Sequence, residues 1–152
     1  MIQMVRVDYR LLHGQVAVSW TSSLGINAIL LVSETLKKDK IRMQSIALAK
    51  PNGVKVVAKS TSEAIDQLKS GITEKYSLLI ICETVKIAEK IIDSTGFNSL
   101  NLGNVPFRKG TMKFSNSVYL NDEETKILKN MKSMGTNIFS QMIPDDTKHQ
   151  FK

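Results

Sequence analysis

Cysteine and histidine are scarce in this chain: there is one of the first, Cys82, and two of the second, His13 and His149. A single cysteine excludes an intramolecular disulfide and fits a reducing compartment. One thiol and two scattered imidazoles do not make up the ligand set of a structural zinc site, so no metal is expected. No apolar run approaches the roughly 20 residues that a membrane helix needs. The first residues lack the basic leader, apolar core and small-residue cleavage site of a secretory signal. The expected location is therefore the cytoplasm. No glycine-rich phosphate loop of the Walker or dinucleotide type occurs, and no cofactor is expected. Aromatic residues are not interleaved with basic ones as in an RNA-binding sheet. There is no internal repeat, linker or low-complexity segment.

What is present fits one domain spanning residues 1–152, long enough to bury a sizeable core. Hydrophobic content of 42% with 23% charged residues is that of an ordinary soluble globular protein. Basic residues outnumber acidic ones by 21 to 14, a net charge of +7 that attracts acidic partners. The lysines are spread out, with small clusters at Lys37–Arg42 and Arg108-Lys109. No recognition motif accompanies them, so nucleic acid is not an expected partner.

Strand-like and helix-like segments alternate. Met1–Asp8 reads as a strand carrying Val5 and Val7. From Gln15 the spacing of Val16, Trp20 and Leu24 becomes helical, and Gly25 ends the helix. Ala28–Val32 and Ser77–Cys82 are continuous apolar runs, the pattern of strands buried on both faces. Thr35–Lys50 reads as a helix and Val54–Ala58 as a strand. Ser60–Glu63 and Asn121–Glu124 are capping boxes that open helices, and Thr84 caps another. Ser99–Leu102, Phe114–Leu120 and Asn137–Ile143 complete the strands, and residues 145–152 are expected to fray. The alternation predicts an α/β fold: an open, mostly parallel sheet of about six to seven strands with helices on both faces. Phe114–Leu120 has no helix before it, which allows an antiparallel edge strand there.

In such sheets ligands gather at the carboxyl ends of the strands. The loop after the first strand holds Asp8, Arg10, His13, Gly14 and Gln15 at the mouth of a helix. A helix N-terminus offers free amides and a partial positive charge that suit a phosphate. Arg10 offers a planar fork of donors to phosphate oxygens. Gly14 leaves the backbone open to a close approach. An imidazole can also attack phosphorus and carry a phosphoryl group covalently, and transfer between two histidines is nearly balanced in energy. The plainer readings stand beside these. His13 is also readable as a polar loop residue, and Asp8 either orients it or satisfies loop amides. Trp20 reads as core, and Cys82, ending a buried strand, as an inert core thiol.

The run Arg6-Val7-Asp8-Tyr9-Arg10-Leu11-Leu12-His13-Gly14-Gln15-Val16, followed by Trp20, resembles the start of a known family. This is the IIB component of the mannose/fructose/sorbose family of the bacterial phosphoenolpyruvate-dependent sugar phosphotransferase system. Ala49–Val56, Asn101-Leu102-Gly103-Asn104 and Gly135–Pro144 extend the likeness nearly end to end. Tyr9 stands where many relatives carry a second acid, and Pro51-Asn52 replaces a common proline pair. The resemblance implies a phosphocarrier enzyme. His13 would accept phosphoryl from a histidine of a IIA protein, here on a separate polypeptide. It would pass the group to a sugar entering through the membrane components IIC and IID, the only route of membrane association. Asp8 and Arg10 would form the supporting shell, with Gly14 and Gln15 beside the phosphate. A positive rim including Arg10, Arg108 and Lys109 is expected to meet an acidic IIA surface. A reading from a different class is a non-catalytic α/β module that binds an anion or a regulator at the same edge.

Overall fold

The computed structural model describes residues 1–152. Seven strands form one twisted sheet in the order β3-β2-β4-β1-β5-β8-β9. β1 (Ile2–Asp8) lies in the middle, paired in parallel with β4 (Leu78–Cys82) and β5 (Ser99–Asn104). β2 (Ala28–Val32) joins β4 to the edge strand β3 (Lys55–Lys59), and β8 (Asn137–Ser140) follows β5, all parallel. All five residues of β2 and of β4 are buried, because helices cover both faces.

The side chains of β1 divide the core. Val5 and Val7 face a cluster shared with α3 (Thr61–Ser70), α4 (Val85–Thr95) and α5 (Asp122–Ser133). Met4 faces a smaller cluster with Ala17 and Trp20 of α1 (Gly14–Leu24) and Ile46 of α2 (Lys40–Ala49). Since side chains alternate along a strand, Arg6 and Asp8 share Met4's face and point beneath α1. The capping boxes of Ser60 with Glu63 and Asn121 with Glu124 form as expected, and Thr84 caps α4.

The last strand expected from the sequence stops at Ser140 rather than Ile143, and three larger differences from the sequence reading have a physical cause. The helix expected over Thr35–Lys50 is a short 3₁₀ turn (Leu36–Lys38) followed by α2, because the Asp39 carboxylate accepts the Arg42 amide and starts a new helix. Phe114–Leu120 is not one strand at the sheet edge. The turn residues Asn116-Ser117 fold it into a separate antiparallel hairpin, β6 (Met112–Ser115) and β7 (Val118–Leu120). The antiparallel edge strand is instead β9 (His149–Gln150), within the tail expected to fray. Phe151 holds that tail down: it is buried in the larger core cluster, with its ring 5.6 Å from that of Phe114. A single apolar anchor, Phe151, outweighs the polar run before it.

Glu63 yields a pH prediction. Accepting the Ser60 amide first, and the Lys37 ammonium beside it, holds the Glu63 carboxyl from 4.5 down to about 2. The stability this provides is complete above about 4.5 and is lost as pH falls through about 2. Glu63→Gln keeps the capping hydrogen bonds, so its urea midpoint is expected to decline less than the parent's across that range.

Candidate functional site

β1 ends at Asp8, and α1 begins at Gly14 after five intervening residues. The loop between them is built from its own polar and apolar groups. The Asp8 carboxylate accepts the Arg10 amide at 3.0 Å, and the Asp8 carbonyl accepts the Leu11 amide at 2.9 Å. Leu11, at φ 62°, is the one non-glycine residue with a left-handed backbone. That conformation costs about 1–3 kcal/mol and persists only where the surroundings impose it. Here Leu11 and Leu12 are both buried in the α1–α2 face of the core. With both leucines turned inward, His13 is turned out. It is exposed, extended (φ −125°, ψ 120°), and takes the N-cap position of α1 without donating or accepting a side-chain cap bond.

The amides of Gly14, Gln15 and Val16 have no acceptor, since the first bond of α1 runs from Ala17 to the His13 carbonyl at 2.9 Å. Gly14 is not at a positive φ, and a Cβ there would meet nothing within 4 Å. The space beside His13 is open to whatever approaches from outside.

Beneath this loop lies a charged cluster. Arg10 grips Asp8 with two parallel bonds, Nε to Oδ1 and Nη2 to Oδ2, each 3.1 Å. Arg6 Nη2 approaches Asp8 Oδ2 at 3.6 Å. Arg6 is fully buried and Asp8 is 1% exposed, while Arg10 reaches the surface at 23%. Burial pushes the Arg6 guanidinium down to about 10, against the opposing pull of Asp8, so it stays charged at neutral pH. Arg6 Nη1 donates to the Gln141 carbonyl at 2.9 Å, and its guanidinium lies 5.9 Å from the centre of the Trp20 ring. The Trp20 indole donates to the Met142 carbonyl at 2.9 Å, and the Gln141 amide donates to Asn101 Oδ1 at 3.0 Å. The segment after β8 is thereby tied to β1, β5 and α1. Gly103 makes room: a Cβ there would fall 2.2 Å from Arg6 Cζ.

The expected site residues sort accordingly. Asp8 and Arg10 are joined in the loop that leads to His13, and Gly14 and Gln15 stand in the first turn of α1. Asp8 bonds the loop amide and both arginines rather than the imidazole. The Nε–Nη2 fork of Arg10 is committed to Asp8, which leaves Nη1 uncommitted. Arg108 does not stand free at a rim: it pairs with Glu124 at 2.8 Å and donates to the Tyr119 carbonyl at 3.1 Å. Lys109 is exposed in the turn before Gly110. Arg6, Gly103, Gln141 and Met142 carry much of the architecture without having been singled out. The available signal was a charged pair at alternate positions, Arg6 and Asp8, threaded between buried valines.

Neither other soft nucleophile competes. Cys82 is fully buried and burial pushes its thiol up. His149 lies on β9, its ring edge-on to Phe114 at 4.7 Å. A cleft of about 660 Å³ lies between the loops after β2, β3 and β4, lined by Glu34, Thr61, Glu83 and Lys90, and does not include His13. No group of acidic, histidine and cysteine side chains converges to hold a metal.

A family model described as the PTS system sorbose subfamily IIB component matches residues 2–152. The chain belongs to that family. A probable phosphotransferase enzyme IIB component of Streptococcus pyogenes serotype M6 is 31% identical over 157 residues, covering 97% of this chain and 95% of the relative. The N-acetylgalactosamine-specific phosphotransferase enzyme IIB component 1 of Escherichia coli K12 is 29% identical over 151 residues, 98% of this chain and 95% of that one. A crystal structure of the N-acetylgalactosamine-specific IIB component 1 from Escherichia coli superposes with a TM-score of 0.90 at 28% identity, covering 100% of both chains. The mannose-specific EIIAB component of Escherichia coli K12 is 24% identical over 154 residues, 97% of this chain but 46% of that protein.

This IIB component is thus a phosphotransferase of a bacterial sugar phosphotransferase system, with a mostly parallel α/β sheet. No helix in it is long and apolar enough to cross a membrane. The packing around Arg6 gives a testable prediction. Gly103→Ala is expected to cost about 1–3 kcal/mol, because the fully buried guanidinium must shift and strain its bond to the Gln141 carbonyl. Gly14→Ala should leave the fold unchanged. Urea midpoints of the two variants check this.

Proposed function

We propose that His13 is the residue that carries the phosphoryl group. In the first step one ring nitrogen of His13 attacks phosphorus through its lone pair. The bond from phosphorus to a donor histidine on a IIA protein breaks, and that nitrogen leaves with the electron pair. In the second step a sugar hydroxyl attacks the phosphorus, the P–N bond breaks with its electron pair returning to the ring nitrogen, and the hydroxyl proton passes to solvent, so that His13 is released. The sugar would be one delivered by the IIC and IID membrane components, and the protein would work at the cytoplasmic side. No oxidant, metal or cofactor is needed for either step.

The observation that carries this reading is the exposed, uncommitted imidazole at the mouth of α1, over three unbonded amides and the Arg6–Asp8–Arg10 cluster. The amides would receive phosphoryl oxygens, and Arg10, in the same loop, has Nη1 free to serve as a cationic donor. The name of the mannose-specific EIIAB relative joins a IIA and a IIB function, which supports a IIA protein as the donor.

The test uses labelled phosphoenolpyruvate with the general phosphotransferase proteins and a IIA protein. The parent chain and Cys82→Ser are expected to take up label in an acid-labile, base-stable form, and His13→Ala to take up none. Label retained by His13→Ala overturns the assignment. Phosphate affinity without a phosphoprotein on the parent chain would instead favour a non-catalytic anion-binding module.

A further inference from the structure

The positive charge of this protein is not shared evenly. Residues 36–59 hold seven of the 21 basic residues and one of the 14 acidic ones. The rest of the chain balances at 14 against 13, so this one segment supplies +6 of the net +7. It comprises the 3₁₀ turn, α2 and the edge strand β3. Two of its cations are neutralised, Lys37 by Glu63 and Arg42 by Glu83. Lys38, Lys40 and Lys50 are exposed and form no ion pair.

α2 is also apolar on the wrong side. Its inward face contributes only Ile46 as a fully buried residue. Ile41 and Leu48, two turns apart on the outward face, are 76% and 90% exposed. Gln44 and Ser45 separate them, and Lys40 and Lys50 stand at the two ends of the helix. Unpaired surface lysines near exposed apolar side chains suit an anionic lipid surface, where each lysine near the headgroups adds to the attraction. Protein interfaces, by contrast, favour aromatic residues and arginine and are depleted in lysine; here every unpaired cation is lysine, and the outward face of α2 holds no aromatic residue.

We propose that α2 and its flanks dock directly on an anionic lipid surface, with Lys38, Lys40 and Lys50 meeting headgroups and Ile41 and Leu48 entering the interface. This goes beyond the role of His13 and does not depend on it. It adds a direct lipid contact to any association made through IIC and IID. Since α1 and α2 cover the same face of the sheet, docking would hold the His13 edge close to the bilayer.

The experiment is co-sedimentation of the full chain with phosphatidylcholine vesicles, with and without about one third phosphatidylglycerol. Binding is expected only with phosphatidylglycerol, and is expected to fall steeply as salt rises. The triple variant Lys38→Gln, Lys40→Gln, Lys50→Gln should weaken it roughly a hundredfold, and Ile41→Ser with Leu48→Ser should weaken it at constant charge. Lys126→Gln, Lys129→Gln, Lys132→Gln on α5 removes the same charge elsewhere and should bind nearly as the parent does. All these side chains are on the surface, and thermal unfolding verifies the folds. Equal binding to both vesicle types overturns the proposal, as does equal loss in the two lysine triples. Binding to polyglutamate but not to phosphatidylglycerol also overturns it and assigns the face to an acidic protein. Phosphoryl uptake from a IIA protein in solution should be the same in the α2 variants, which separates this test from that of His13.

Discussion

A full positive charge lies buried in the middle of the sheet, and much of the candidate site is arranged around it. Arg6 has no exposed surface, and one of its guanidinium nitrogens, Nε, has no hydrogen-bond partner. Burying a charge this way costs several kcal/mol unless partners surround it. The partners come from four places in the chain: Asp8 on the same strand, Trp20 on α1, the Gln141 carbonyl after β8, and the open space at Gly103 on β5. Each must be in position for the others to be tolerable. The ends of three strands and the first helix are therefore locked into one geometry.

That geometry explains how a surface histidine can be held on a stiff loop. Asp8 has its oxygens fully spoken for by the Arg10 amide, the Arg10 fork and Arg6, so the turn after β1 cannot relax. Leu11 accepts a left-handed backbone because releasing it would pull two leucines from the core. At the surface of the loop the imidazole of His13 and the first amides of α1 are left without partners. The interior charges serve position, while the excess surface charge lies around α2, a separate part of the molecule with a separate partner chemistry.

The order of elements was legible because buried parallel strands write themselves as unbroken runs such as Leu78–Cys82, and because capping boxes mark helix starts with side-chain chemistry. His13, Asp8 and Arg10 were legible as neighbours because five residues cannot carry them far apart. What was hidden is contact across sequence distance. Nothing local to Gly103 announces that Arg6 lies against it, and nothing local to Gln141 announces that its carbonyl faces the same side chain. The tail shows the same limit: Phe151 is a lone apolar residue in a polar run, and only the hydrophobic floor under Phe114 gives it a place to go. Arg108 looked free because its acid, Glu124, is 16 residues away.

The electrostatics of the cluster bear on why the proposed carrier works without a pocket. Arg6 and Arg10 against Asp8 leave one net positive charge behind His13, and the mouth of α1 adds about half a charge more. A phosphoryl group brings roughly two negative charges, so the loaded site would come close to neutral. The charge partners are already oriented, and binding the group requires no rearrangement of buried arginines. A deep cleft would strengthen that attraction by excluding water, but it would also bar the donor protein and the membrane-bound acceptor that the proposed role brings to the same atom in turn. An exposed imidazole over a buried cation resolves the conflict. In the proposed role the compensating charge would lie below the surface, where it would steady the phosphoryl group, and the outer face of the ring would stay open to donor and acceptor alike.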